Sequence, residues 1–124
     1  MKIAIIAHDG KKADMVGFLY GFKKYLDDIE VIATGTTGSH VESAGISVTK
    51  VLSGPMGGDA QIAAEVATSK IDLVVFFIDP MDKHPHEPDI NMLLRLCNVH
   101  NVPLATNPAT AELVLAGIIS KKIK

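Results

Sequence analysis

The stretch DLVVFFIDP, residues 72–80, holds an uninterrupted run of apolar side chains that begins and ends at an aspartate. A strand with one solvated face alternates apolar and polar residues, whereas a continuous apolar run is typical of a strand buried on both faces. Strands of that kind occur in parallel sheets whose two faces are covered by helices. Residues 72–78 therefore predict a buried strand of an α/β fold.

Similar apolar runs alternate with segments of helical periodicity along the rest of the chain. Residues 2–7, 30–33 and 102–105 predict three more buried strands, and the weaker run at 47–51 predicts a fifth. A short helix should end near Gly45, and Asn107 and Pro108 should cap and begin the last helix. The apolar stripes that predict the other helical faces are Met15, Phe18, Leu19, Phe22 and Leu26; Ile62, Ala63, Val66 and Ala67; Leu93, Leu94, Leu96 and Cys97; and Leu113, Val114 and Ile118.

This alternation predicts one domain over residues 1–124. Five strands that alternate with five helices imply right-handed crossovers and a doubly wound, five-stranded parallel sheet flanked by helices. The expected architecture is a three-layer sandwich of the Rossmann or flavodoxin type.

Composition excludes several classes of function. Twelve Lys and Arg against fourteen Asp and Glu give a net charge of −2, which argues against a nucleic-acid partner. No apolar run approaches the ~20 residues of a membrane helix, and the apolar start is too short for a signal peptide. Cys97 is the lone cysteine, which excludes an internal disulfide and favours a reducing, cytoplasmic location, with Cys97 itself in the core.

Polar and glycine residues follow four of the predicted strands. Ligands of doubly wound folds bind beyond the carboxyl ends of the strands, so these residues should share one edge of the sheet. They are His8 and Asp9; TGTTG at 34–38; SGPMGGD at 53–59; and Asp79 with HPHEPD at 84–89. The four coinciding strand ends predict a binding site there.

The TGTTG turn is suited to a single phosphate. Gly35 and Gly38 let the backbone curl, the next helix offers its first amides, and the threonines supply hydroxyl donors. A plain threonine-capped turn explains this motif equally well. Lys12 could reach the same anion or could simply be solvated.

Asp59 is the candidate general base. A carboxylate gains nothing electrostatically from a neighbouring phosphate, so a chemical task should account for it. A partly desolvated carboxylate can take a proton from a carbon next to a carbonyl. The alternative is that Asp59 caps the following helix. Gly57 and Gly58 before it should permit unusual backbone angles and close approach of a ligand.

His86 lies between prolines that would hold its imidazole at the edge of the site, where it could polarise a carbonyl. A metal site formed by His84, His86 and Asp89 is a weaker alternative. Asp89 could also cap the next helix, and if Asp9, Asp79 and Asp89 were buried together they could not all be charged.

Six motifs in this order and spacing closely resemble the methylglyoxal synthase family: AHDGKK, ATGTTG, LSGPMGGDAQI, FFIDP, PHEPDI and NPATAE. The resemblance spans nearly the whole chain. It implies a lyase that converts dihydroxyacetone phosphate to methylglyoxal and inorganic phosphate without cofactor or metal, as a cytoplasmic homohexamer.

The resemblance also implies roles for individual residues. Asp59 would be the catalytic base, and His86 would contact the carbonyl end of the substrate. His8, Asp9 and Lys12 would reach the same pocket, with Asp79 and Asp89 as supporting carboxylates. The phosphate would be held by Thr34, Gly35, Thr36, Thr37, Ser53 and Gly54.

The chain departs from the family pattern at its end. Many members carry a longer, arginine-bearing tail connected with inhibition by phosphate between subunits, whereas this sequence ends in SKKIK and Arg95 is its only arginine. Phosphate inhibition therefore does not follow from the resemblance. The rival functions are a regulatory effector-binding module of the same fold and a phosphosugar isomerase, which would share the base and the phosphate turn.

Overall fold

Five parallel strands form one sheet at the centre of the protein. In a computed structural model, in which residues 1–81 and 90–123 are described, they are β1 (Lys2–Ala7), β2 (Glu30–Ala33), β3 (Thr49–Lys50), β4 (Leu73–Phe77) and β5 (Leu104–Ala105). The order across the sheet is β3-β2-β1-β4-β5, and every pairing is parallel. The doubly wound sheet is confirmed, and the strand order reverses between β1 and β4.

Helices cover both faces of the sheet. Helices α1, α2 and α5 contribute to the hydrophobic cluster on one face, and α3 and α4 contribute to the cluster on the other. No helix within the described ranges is long and apolar enough to cross a bilayer. The helices are α1 (Lys12–Gly21), α2 (Gly35–Ser43), α3 (Gly58–Ala67), α4 (Ile90–His100) and α5 (Pro108–Ile123), and short 3-10 turns lie at Asp9–Lys11, Lys23–Asp28 and Gly54–Met56.

Strand β4 connects the two halves of the core. Leu73, Val75 and Phe77 belong to one hydrophobic cluster, and Val74 and Phe76 belong to the other. All five side chains are fully buried. Each stabilises the fold by about 1.5–3 kcal/mol relative to an exposed side chain. The apolar run at 72–78 thus forms the double-faced strand that the sequence predicts.

Two elements differ from the sequence expectation. Helix α2 begins at Gly35, earlier than expected, because Thr34 has extended angles (φ −63°, ψ 151°) and the TGTTG turn is itself the first helical turn. The first helix ends at Gly21 rather than continuing through Leu26. A 3-10 turn follows, in which the Tyr25 amide bonds to the Phe22 carbonyl at 2.9 Å. Phe22 and Leu26 still pack against the core.

Helix α5 begins as predicted but turns a different face to the core. The Asn107 side chain accepts the Thr110 amide at 2.9 Å, which confirms the cap, and Pro108 is the first helical residue. The predicted stripe is wrong at Leu113, which is 77% exposed. The core instead receives Ala111, Leu115 and Ile119, which are four residues apart and therefore on one helical face.

Helix α4 shows the same kind of shift. Leu93 and Cys97 are buried, whereas Leu94 is 46% exposed, contrary to the predicted stripe. Burial raises the pKa of the Cys97 thiol through desolvation, which keeps it protonated as an inert core side chain. The core role expected for Cys97 is confirmed.

Two leucines of α5 test which face of α5 packs against the core. Leu115→Ala should lower the free energy of unfolding by about 2–5 kcal/mol because it leaves a cavity in a closed core. Leu113→Ala, the matched control, should change it by less than about 0.5 kcal/mol. Urea unfolding followed by circular dichroism measures both, and equal losses would contradict the assigned face.

Candidate active site

His8 and Asp79 meet just after the ends of β1 and β4, the two strands between which the strand order reverses. The His8 amide donates to the Phe77 carbonyl at 3.1 Å, and the Asp79 amide donates to His8 Nδ1 at 2.9 Å. The His8 ring is buried and meets Phe76 edge-on. Because an amide N–H can only donate, Nδ1 carries no proton in this arrangement, and a neutral His8 ring holds its proton on Nε2. Nε2 is then the donor.

The end of β1 is tied to the first turn of α2 by a threonine hydroxyl. Strand β2 ends at Ala33, opposite Ile5, so its ladder stops before Ala7. Thr37 Oγ1 accepts the Ala7 amide at 3.2 Å and the Thr34 hydroxyl at 3.3 Å, and it donates to the Ala7 carbonyl at 3.5 Å. These contacts use the proton and both lone pairs of the Thr37 hydroxyl.

Lys12 is a buried cation at the same strand end. Only 6% of the residue is exposed, and Nζ donates to the Ala7 carbonyl at 2.9 Å and to Asp9 Oδ1 at 2.8 Å. An ammonium has three donors, so within the described part of the chain one remains for an anion. The alternative of a simply solvated Lys12 is wrong.

The first turn of α2 supplies main-chain donors beside this lysine. The Gly35 amide bonds to the Leu52 carbonyl at 3.2 Å, and the Gly38 amide bonds to the Thr34 carbonyl at 2.7 Å. First-turn amides lack acceptors within their own helix, so those of Thr36 and Thr37 are the ones suited to an anion. An anion at this turn would also face the positive end of the helix dipole.

The loop after β3 packs against the start of α3 through its main chain. Gly58 lies so close to the Leu52 carbonyl that a Cβ at residue 58 would overlap that carbonyl. The Gly58 amide also donates to the Ser53 carbonyl at 2.9 Å. Gly57 has a left-handed φ of +101°. The unusual backbone angle predicted for Gly57 is confirmed, whereas Gly58 is needed for the approach of the protein's own backbone.

Asp59 is the second residue of α3, immediately beyond this packing contact. Its side chain is half-buried, and Oδ1 accepts the Ala60 amide at 3.0 Å. Gly57 occupies the cap position, so the alternative that Asp59 caps the helix is wrong. The helix dipole favours a negative charge in the first turn. The carboxylate therefore lies one residue from the junction with the Ser53 loop.

Comparison with known proteins identifies the family of the chain. The model of the MGS-like domain family matches residues 14–106. The methylglyoxal synthase of Bacillus cytotoxicus is 54% identical over 116 residues, 93% of this chain and 88% of that protein. That of Cupriavidus taiwanensis is 54% identical over 118 residues, 94% of this chain and 89% of that protein. The crystal structure of methylglyoxal synthase from Elizabethkingia anophelis NUHP1 superposes with a TM-score of 0.87 at 44% identity, covering 92% of this chain and 76% of that one.

The chain belongs to the methylglyoxal synthase family. It is therefore an enzyme of the lyase class that acts on a small molecule, and the alternative of a regulatory module is set aside. The resemblance that the six motifs indicate is confirmed.

The described structure brings several of the predicted site residues to one edge of the sheet. His8, Lys12 and the Thr34–Thr37 turn meet at the end of β1, while Ser53 and Gly54 adjoin the α3 turn that carries Asp59. The Asp9 side chain is 83% exposed, so the condition of a shared buried cluster with Asp79 is not met. His84, His86 and Asp89 lie outside the described residues. No group of three His, Cys, Asp or Glu able to hold a metal ion occurs in residues 1–81 and 90–123.

Two main-chain carbonyls that hold the site together were not predicted from the sequence. The Ala7 peptide joins Lys12 to Thr37, and the Leu52 peptide joins α2 to α3. Both act through main-chain atoms, which leave no signature in side-chain type. Ala7 and Leu52 are the first residues of the motifs AHDGKK and LSGPMGGDAQI, and this position at or just after a predicted strand end is the one sequence signal that could have indicated them.

The Thr37 hydroxyl should be needed for stability even without a ligand. Thr37→Val removes the partner of a buried amide and carbonyl, so it should cost about 1–3 kcal/mol of unfolding free energy. Thr37→Ser keeps the hydroxyl and should retain most of that stability. Urea unfolding of the ligand-free protein measures both variants. Equal losses in Val and Ser would show that the methyl group, not the hydroxyl, is what matters.

Proposed function

We propose that this enzyme eliminates phosphate from dihydroxyacetone phosphate and releases methylglyoxal and inorganic phosphate, without a cofactor or metal. What supports the proposal is the membership of the methylglyoxal synthase family together with the joint position of an anion site and a carboxylate. The single observation that carries it concerns the Leu52 carbonyl. This carbonyl accepts the Gly35 amide in the first turn of α2 and packs against Gly58, the residue before Asp59.

In this proposal the phosphate group of the substrate binds at the end of β1. The Lys12 ammonium supplies the charge, the Thr36 and Thr37 amides supply directed donors, and Thr34, Gly35, Ser53 and Gly54 line the rest of the site. The Thr37 side chain acts indirectly, because its hydroxyl is bonded to Ala7 and Thr34. His8 donates from Nε2, and Asp79 orients its ring through the bond to Nδ1.

Asp59 acts as the base. It removes a proton from the hydroxyl-bearing carbon next to the ketone, and the electrons of that carbon–hydrogen bond form an enediolate. A donor facing the developing oxyanion can lower the barrier by about 3 kcal/mol, and His86 is the leading candidate for that donor. Asp9 and Asp89 support the site as the family pattern implies.

Loss of phosphate completes the reaction. The enediolate electrons expel the phosphate as the bridging carbon–oxygen bond breaks, and the enol so formed takes up a proton on carbon to give methylglyoxal. That bond must stand out of the enediolate plane for the electrons to reach it, so the phosphate site must fix a torsion as well as a charge. An isomerase would hold the same bond in the plane and keep its phosphate.

The assembly and location proposed for the enzyme follow the family. We propose that residues 1–124 act as one domain within a cytoplasmic homohexamer, in which exposed Arg95 on α4 is free to serve an interface between subunits. Inorganic phosphate, as a product that fits the Lys12 site, is also a candidate inhibitor.

The reaction itself is tested by product analysis. Purified protein incubated with dihydroxyacetone phosphate should form methylglyoxal and inorganic phosphate in equal amounts. Formation of glyceraldehyde 3-phosphate without release of phosphate would identify an isomerase instead. Absence of turnover would contradict the proposal.

The assignment of the base is tested by Asp59→Asn. The substitution removes the proton acceptor but preserves shape, so kcat should fall by about 10²–10⁴-fold while phosphate affinity changes little. Asp28→Asn is the matched control, because Asp28 is exposed at the opposite edge of the sheet, just before β2. Near-normal turnover in the Asp59 variant would transfer the role to another carboxylate.

His86→Gln tests the proposed oxyanion donor. Turnover should slow by up to about a hundredfold, because one donor to the enediolate is weakened, whereas inorganic phosphate should bind as before. His100→Gln, at the exposed end of α4, is the matched control. An unchanged rate in the His86 variant would remove that residue from the mechanism.

A further inference from the structure

The main chain of Leu52 is held at both its amide and its carbonyl, which belong to two successive peptide groups. Its carbonyl accepts the Gly35 amide at 3.2 Å, and its amide donates to the Gln61 side-chain oxygen at 2.8 Å. The Leu52 side chain is 53% exposed, so the residue contributes little to the core. What fixes this segment is therefore the bonding of its main chain, together with the close approach of Gly58.

Gln61 is the side chain that provides one of these bonds. It lies in the first half of α3, and its own amide bonds to the Gly57 carbonyl at 3.1 Å. Helical side chains lean toward the N-terminus of their helix, which brings the carboxamide of residue 61 back to the loop before α3. Because the Leu52 amide is a donor, the atom that meets it must be the carboxamide oxygen.

This position sets Gln61 apart from an ordinary surface glutamine. Residue 61 is exposed, so a role in core packing is excluded. Its bond spans nine residues of sequence and joins the helix of Asp59 to the strand end that leads into Ser53 and Gly54. The carbonyl of the same residue, in the next peptide group, accepts the Gly35 amide and so leads to the threonine turn. The Gln61 carboxamide thus contributes to the spacing of the α3 helix, the Ser53–Gly54 loop and the threonine turn.

We propose that Gln61 is a positioning residue, whose carboxamide oxygen fixes the main chain at Leu52 and thereby the spacing between the threonine turn, the Ser53–Gly54 loop and Asp59. The inference deepens the proposed function and rests on it for the role of those three groups. Gln61 acts through the main chain and need not touch the substrate.

Two substitutions distinguish whether residue 61 acts through its hydrogen-bond acceptor oxygen or through its N–H donors. Gln61→Met is close in shape but cannot accept the Leu52 amide. Gln61→Glu keeps an acceptor oxygen and removes the carboxamide N–H donors. The added charge of the Glu variant is matched by Ala64→Glu, at an exposed position on the same helix. All proteins are measured in about 0.3 M NaCl, where exposed charges are screened beyond roughly 6 Å.

Hydrogen exchange and phosphate binding are the two measurements. In Gln61→Met the Leu52 amide should exchange roughly two- to tenfold faster than in the wild type, the change expected for one hydrogen bond. At a temperature well below the melting temperature, the Kd for inorganic phosphate should rise by a similar factor. The value of kcat/KM should fall by at least that factor. Gln61→Glu should match Ala64→Glu in both measurements.

Two results would overturn the proposal. Wild-type exchange at Leu52 and wild-type phosphate affinity in Gln61→Met would show that the bond positions nothing. Loss of phosphate affinity in Gln61→Glu, but not in Ala64→Glu, with Leu52 still protected, would show that the carboxamide N–H contacts the ligand directly. Failure of the proposed function looks different: the wild type itself would neither bind phosphate nor release it from the substrate, while the exchange contrast at Leu52 would still decide the role of Gln61.

Discussion

The site depends on one backbone constraint, which is that the main chain of β1 at Ala7 has no strand neighbour on the β2 side and must find other partners there. An unpaired buried amide or carbonyl costs free energy comparable to a hydrogen bond. At Ala7 the partners are the Thr37 hydroxyl and the Lys12 ammonium, both on elements that contribute to an anion site. The requirement to satisfy the strand end therefore places a cation and the start of a helix side by side.

The same arrangement explains how a lysine can be buried at the mouth of the site. A buried charge is costly unless it is paired and hydrogen-bonded. Lys12 meets that condition with two partners, the neutral Ala7 carbonyl and the carboxylate of Asp9. The Asp9 side chain is 83% exposed. The electrostatic interaction of the ammonium with a solvent-exposed carboxylate is weaker than with a buried one, because the effective dielectric constant is higher. Lys12 thus remains attractive to a phosphate, and the neighbouring carboxylate does not cancel its charge.

Most of the fold and part of the site could be predicted from the sequence, and the physical reasons differ. The apolar run through Phe76 and Phe77 indicated a double-faced strand because burial on both faces removes alternation. The face of α5 could not be fixed from three apolar residues, since Leu113 is apolar yet 77% exposed. Side-chain types indicated Lys12 and Asp59. They could not indicate the Ala7 and Leu52 peptides, whose contribution depends on where each strand stops.

The two peptides hold the first turn of α2 from opposite sides, one through the Thr37 hydroxyl and the other through the Gly35 amide. Hydrogen bonds at two points oppose tilting of the helix turn, which favours a fixed direction for its amides. Elimination of phosphate needs that property more than isomerisation does, because the torsion about the bridging bond must be held as charge develops. Gly58 then brings the turn that carries Asp59 against the same Leu52 carbonyl, at a distance no side chain would allow. The proposed anion site and the proposed base are thereby both positioned against the Leu52 carbonyl, as expected if a proton on one carbon and a leaving group on the carbon two bonds away must be aligned together.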